Sequence, residues 1–227
     1  MLVLSAGCYN KIILKRMRGE IEVARTTEIS DQHIISVAKK LFYERGITGT
    51  EMKDIAQQAG IGRSSLYRHF ESKEAIAFHI AREVMELRLS LLMENVDQGE
   101  TGLELVSRCL DRVVKALIGD IPSVRFLDEF DMIFTKSYPE IEATVMYVTF
   151  IKGGRSCLYK YLTQGIADGS IRGELDPEFT EKLLLNNLIG VAQRVLPREA
   201  HILEEQEVLG RELLLASVRL LVNGLKA

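Results

Sequence analysis

Proline occurs only four times in the 227 residues, and cysteine only three. So few prolines leave long stretches in which nothing interrupts a helix, and no stretch alternates apolar and polar residues as a half-buried strand does. An all-α fold is the expectation. The cysteines, Cys8, Cys109 and Cys157, are odd in number and far apart, with no Cys-x-x-Cys pair and no Cys/His cluster. Neither a disulfide framework nor a zinc site is indicated, and reduced thiols in a reducing cytoplasm are expected. Gly-x-Gly-x-x-Gly and P-loop patterns are missing. The four histidines (His33, His69, His79 and His201) are scattered. No nucleophile–base arrangement emerges, so neither catalysis nor a cofactor nor a metal is expected.

What is present reads as an ordinary globular chain. Apolar residues make up 47% and charged residues 27%, enough for a sizeable core in one large or two modest domains. The net charge of −3 hides an asymmetry. Residues 1–82 hold 13 Lys+Arg against 9 Asp+Glu, whereas residues 83–227 hold 16 against 23. A basic N-terminal part on an acidic body suits a reader of polyanions. The opening MLVLSAGC has small residues before Cys8 but no basic leader and no apolar core of useful length, so secretion is not expected. Met17 is an alternative start, with residues 1–16 then outside the native protein. Lys11, Lys15, Arg16, Arg18 and Arg25 would form a basic arm or a mobile tail over residues 1–29.

The chain is organised around residues 50–73, TEMKDIAQQAGIGRSSLYRHFESK. Met52, Ile55, Ala56 and Ala59 recur at helical spacing and end at Gly60, a residue suited to a helix stop. Ile61 turns back to the core. A second short helix over 63–70 faces Leu66 and Phe70 inward. That leaves Arg63, Ser64, Ser65, Tyr67, Arg68 and His69 outward. Guanidinium forks bond guanine edges and hydroxyls bond phosphates, so this face suits DNA. Two short helices about a tight glycine turn match a helix-turn-helix, whose second helix enters the major groove.

The run IISVAKKLFYERGITGTEMKDIAQQAGIGRSSLYRHFESKEAI, within residues 30–75, resembles the DNA-binding domain of the TetR family of one-component transcriptional repressors. The helix–ERG–helix entry, the IAxxAG turn and the L-Y-x-H-F-x-S-K-E run stand in register. The resemblance implies an all-α fold with a small DNA-binding domain (30–82) on a larger ligand-binding and dimerisation domain (83–227). It also implies that the Thr50 hydroxyl faces a DNA phosphate, and that Lys73 contacts the backbone at the start of the linking helix. One position departs from the family pattern. Gly62 stands where Ser or Thr often caps the recognition helix, so one side-chain oxygen is lost.

Nine helices are expected in all. The first runs over 30–45 from Ser30, and the linker helix over 73–95 with no flexible segment between the halves. Further helices are placed at 101–117, 123–134, 139–168, 178–196 and 204–223, with Gly153 and Gly154 marking a bend in the longest. Met85, Leu89, Phe126, Phe130, Phe134, Tyr138, Met146, Tyr147 and Phe150 are the candidate lining of an apolar effector pocket, although an aromatic stripe at this spacing equally makes plain core. Asp128, Glu129 and Asp131 would meet a cationic ligand or form a solvated face. Leu184, Leu188, Val191, Val195, Leu213, Leu214, Val218 and Leu221 form a stripe too broad for one helix pair. They are the candidate homodimer interface, as a twofold four-helix bundle. The expected function is a cytoplasmic repressor released from a palindromic double-stranded DNA operator by a small apolar effector, with no membrane partner. The competing reading is a ligand-independent accessory or architectural DNA-binding protein with the same N-terminal domain.

Overall fold

The computed structural model describes residues 20–93, 101–153 and 156–227. These residues form eleven helices, joined by turns and one isolated bridge between Ile171 and Lys226. In order they are α1 (Glu20–Arg45), α2 (Met52–Gln58), α3 (Arg63–His69), α4 (Lys73–Met93), α5 (Gly102–Gly119), α6 (Ile121–Ile133), α7 (Glu142–Gly153), α8 (Cys157–Asp168), α9 (Pro177–Val195), α10 (Glu199–Gln206) and α11 (Gly210–Leu225). The basic residues Lys11, Lys15, Arg16 and Arg18 lie outside the described residues.

The boundaries differ from expectation in three places, each for a local reason. α1 passes back through Ser30 to Glu20, because the preceding EIEVARTTEI holds no glycine or proline to stop it. The helix expected over 139–168 is two helices. Ser156, whose hydroxyl accepts the Leu158 N–H at 3.1 Å, starts a new one after Gly153. The last segment also divides. Glu207 adopts a left-handed φ of 56° and closes α10 before α11 begins.

Two clusters of buried side chains hold the chain together. The first joins α1–α4 (Ile34, Phe42, Ile55, Leu66, Phe70, Ile76, Phe78) to Phe126 and Phe130 of α6 and Tyr147 of α7. The second joins α5 to α8, α9 and α11 through Leu110, Val114, Leu158, Tyr161, Leu188 and Leu214. α5 and α8 meet closely at their glycines. A Cβ on Gly102 would lie 2.1 Å from the backbone nitrogen of Gly165. Cys109 and Cys157 also meet across this pair, as buried thiols 3.6 Å apart.

The packing sorts two sets of expected residues. Phe126, Phe130, Phe134, Tyr138 and Tyr147 pack together, with Phe126, Phe130 and Tyr147 buried and Tyr138 exposed. They stack edge-to-face and tilted around Phe78, with ring centroids 4.8–6.3 Å apart. Rings at this spacing attract one another, and Phe126, Phe130 and Tyr147 belong to the first cluster. Met85 packs against this cluster, Leu89 against the second, Phe150 is half-buried and Met146 is exposed. On the dimer side, Leu184, Leu188, Val195, Leu214 and Val218 are buried within the chain, and Val191, Leu213 and Leu221 are half-buried. The outward stripe lies on the opposite side of the same helices. It holds Phe179 and Leu183 on α9 and Leu220 on α11, the last 73% exposed.

Polar contacts cross from the body to the N-terminal helices, from Glu83 to Gln32 and Lys39 and from Glu129 to the α1–α2 loop. The α1–α2 loop offers the N–H groups of Ile47 and Thr48, which donate to the Glu129 carboxylate of α6 at 2.7 and 2.8 Å. Gly46 permits the approach. Its φ is +80°, and a Cβ there would come within 2.8 Å of the same carboxylate. Glu129 is therefore a clasp, not part of a solvated face. Charge-assisted bonds of this kind contribute roughly 1.5–3 kcal/mol. Glu129→Ala is expected to lower stability by about that amount, read as a fall in Tm. Asp128→Asn, one position away, should stay within about 0.5 kcal/mol of wild type. Equal melting of both variants would show that the clasp contributes nothing.

Candidate nucleic-acid interface

Each short helix of the N-terminal unit is held from several directions. α2 begins after Glu51, whose N–H donates to Asp54 at 3.0 Å. It ends at Gly60, with φ +70°, and Ile61 donates back to the Ala56 carbonyl at 3.0 Å. α3 begins after Gly62, which supplies no side-chain cap. Leu66 is fully buried beneath α3 and Phe70 nearly so. With seven residues, α3 depends on this anchoring more than on propensity.

This arrangement sorts the expected DNA-contacting residues. Arg63, Ser64, Tyr67 and Arg68 are exposed on the outer face of α3, and Tyr67 is 54% exposed. Ser65 is half-buried and its hydroxyl accepts from Arg68 Nη2 at 3.3 Å. Beside this face an open cleft of about 340 Å³ is bounded by Glu51, Met52, Lys53, Arg63, Tyr67 and Lys73. Three of those side chains are cationic and one is anionic. Lys53 pairs with Glu51 at 2.7 Å, and that hydrogen bond raises the ammonium above its ordinary value. Lys53 was not among the residues singled out from sequence. Its signal was its place just outside the apolar stripe of α2.

Three expected contacts hold the scaffold together. Thr50 is fully buried, and its hydroxyl donates to the Gly46 carbonyl at 2.8 Å, so it cannot face a phosphate. It caps the end of α1, while Glu51 starts α2. Lys73 donates from Nζ to the carbonyls of Ile47 and Thr50 at 2.7 and 2.8 Å. It binds the α1–α2 loop to the start of α4 and has one proton left for a further acceptor. His69 is half-buried, and its Nδ1 lies 2.5 Å from the Asp31 carboxylate. That contact fixes the end of α3 to α1.

Among the described residues, no group of three or more His, Cys, Asp or Glu is placed to hold a metal, and no helix is long and apolar enough to cross a membrane. What the face offers is a projecting helix with two guanidinium groups, hydroxyls and an aromatic ring, set beside a cationic cleft. Thr50→Val keeps the side-chain shape but removes the hydroxyl. It is expected to lower stability by about 1 kcal/mol in a thermal melt and to leave the salt dependence of DNA binding unchanged. A shallower salt slope would instead return Thr50 to the phosphate contacts.

Comparisons with known proteins agree with this geometry. Residues 34–80 match the sequence model of the bacterial regulatory proteins of the tetR family. The HTH-type transcriptional repressor KstR2 of Mycolicibacterium smegmatis is 26% identical over 161 residues, covering 66% of this chain and 72% of that protein. The fatty acid metabolism regulator protein of Bacillus subtilis is 23% identical over 155 residues, covering 68% and 77%. Among solved structures, FadR from Bacillus subtilis in complex with stearoyl-CoA has the same fold, with a TM-score of 0.62 at 21% identity over 86% of this chain and 98% of that one. The ketosteroid transcriptional regulator KstR2 of Mycobacterium tuberculosis gives 0.59 at 21% over 87% and 95%. Residues 34–80 thus form a helix-turn-helix domain of the tetR type, and the chain as a whole shares its fold with these solved regulators.

Proposed function

We propose that the chain is a cytoplasmic, ligand-responsive repressor that binds a palindromic double-stranded DNA operator as a homodimer and leaves it when a small, largely apolar effector binds. Residues 30–82 read the DNA, and residues 83–227 sense the effector and dimerise. The observation that carries the reading is the outer face of α3. Arg63, Ser64, Tyr67 and Arg68 project from a helix whose opposite face is locked into the core by Leu66 and whose end is fixed by His69. In this role α3 enters the major groove, and Lys53 meets the phosphate backbone beside it.

A helix-turn-helix reads two half-sites about 34 Å apart, which takes two copies. The exposed apolar stripe of Phe179, Leu183 and Leu220 supports a mate on α9 and α11. Gly190 and Ala216 lie on the same side and allow helices to approach closely. The apolar nature of the effector is supported by the relatives, one named for ketosteroids and another solved with stearoyl-CoA. Release follows from linkage. An effector that favours one placement of α4 changes the separation of the two α3 helices, and the DNA opposes effector binding by the same factor.

Two sets of variants separate the roles. Arg63→Ala and Arg68→Ala should each weaken binding to DNA selected from a genomic pool by about 5–150-fold, while sedimentation equilibrium still finds a dimer. Leu183→Glu with Leu220→Glu should give folded monomers with operator binding lost. Arginine variants that bind like wild type, or a dimer that survives both glutamates, would overturn the corresponding assignment.

A further inference from the structure

We propose that the effector is an anionic amphiphile, a carboxylate or phosphate-bearing group on an alkyl chain, whose head is held by Arg88 and Lys39 and whose tail lies in the furrow between α4 and α5. This inference rests on the reading of the chain as an effector-responsive regulator and names the chemistry of the effector. The cleft lies where α1, α4, α5 and the start of α6 meet. Its interior volume is about 70 Å³, within a wider open space of about 470 Å³.

The cationic end is built around an incompletely matched guanidinium. Arg88 is half-buried, and burial pulls it below its ordinary value. Among the described residues no carboxylate lies within ion-pair distance of it. Its hydrogen-bond partner is the Ser123 hydroxyl, at a long 3.4 Å. Asp120, which also lines the cleft, and Asp131 act on it without forming an ion pair. The Asp120 carboxylate is engaged by the first turn of α6, accepting the Ser123 N–H at 3.3 Å. Tyr43 is pushed up by burial and stays a neutral phenol, so it supplies no counter-charge. Lys39, from α1, lines the same cleft. Its own carboxylate partner, Glu83, stands 3.6 Å away. A desolvated charge is costly until it is paired and hydrogen-bonded. An anion between Arg88 and Lys39 completes the set.

The other end is apolar. Val84, Leu87 and Leu91 of α4 face Val113 and Ala116 of α5 across the furrow. From residue 84 to residue 91 the helix rises about 10 Å, the scale of a medium-length alkyl chain. Leu87 is 61% exposed at the mouth, so a tail entering there removes apolar surface from water. The position also explains coupling. A head bridging Lys39 and Arg88 ties α1 of the DNA-binding unit to α4 of the body, which is the joint that the release mechanism moves.

Decanoate and its neutral counterpart decanol are the probes, titrated into the full-length protein by calorimetry. Decanoate should bind at least about 10-fold more tightly than decanol, since a charge-assisted bond is worth that factor or more. Arg88→Met should remove the preference while leaving decanol affinity within about 2-fold. Lys39→Met, a more exposed change, should reduce the preference without abolishing it, and covers the case in which the Arg88 variant fails to fold. Equal affinity for the two probes, or a preference that survives both variants, would overturn the anion site. The readout contains no DNA. A failed anion site therefore leaves the regulator reading in place, whereas arginine variants of α3 that keep full operator affinity remove that reading without changing this result.

Discussion

The structure depends on the contact between the Glu129 carboxylate and the N–H groups of Ile47 and Thr48. A surface-lying loop normally satisfies its amides with water. Here the α1–α2 loop instead spends two of them on a carboxylate from the body, and Lys73 satisfies the carbonyls of Ile47 and Thr50 from the other side. The loop is thus bonded from both directions. α2 and α3 follow directly from it, so the orientation of the DNA-facing helix is inherited from α6 and α4. Beneath the clasp, Phe126 and Phe130 of α6 enter the same core as Phe42 and Phe78. A shift of α6 or α4 therefore moves the reading head as a rigid piece.

That continuity changes what the two-part organisation means physically. The charge asymmetry and the helix-turn-helix pattern suggest a basic unit on an acidic body, joined through a helix. The packing has no seam at residue 82, because one cluster spans both sides of it. The aromatic stripe of α6 and α7 is the material of that joint. Its rings are well suited to transmit a displacement, since close-packed rings have few alternative arrangements. The furrow by Arg88 and Lys39 borders this joint, not the interior of the body.

Much of this was legible in the sequence. The inward pair Leu66 and Phe70, the stop at Gly60, the outward Arg63 and Arg68 and the all-helical body follow from spacing and residue type alone. The departures share a cause. Thr50, Lys73 and His69 each carry a group able to bond a phosphate, and each engages a partner that spacing does not reveal: Gly46 four residues away, and Ile47 and Asp31 farther off. Sequence gives a donor but not its acceptor. The candidate dimer stripe is a different case. α9 and α11 carry apolar residues on two faces, and periodicity marks both without saying which meets the chain's own α5 and α8. The larger set, Leu184, Leu188, Leu214 and Val218, went to the chain itself. The smaller set of Phe179, Leu183 and Leu220 was left outside. Glu129 matters for the two loop amides that it meets, and Arg88 for the lack of a carboxylate within ion-pair distance among the described residues; spacing shows neither.

The most direct test of the account is a hydroxyl-radical footprint of the full-length protein on DNA it selects from a genomic pool. Two α3 helices held at fixed separation by rigid bodies should protect two patches on one face of the duplex, about 10 base pairs apart or a multiple of that spacing, related by a twofold axis. A single protected patch, or continuous protection without periodicity, would contradict a rigid dimeric reader.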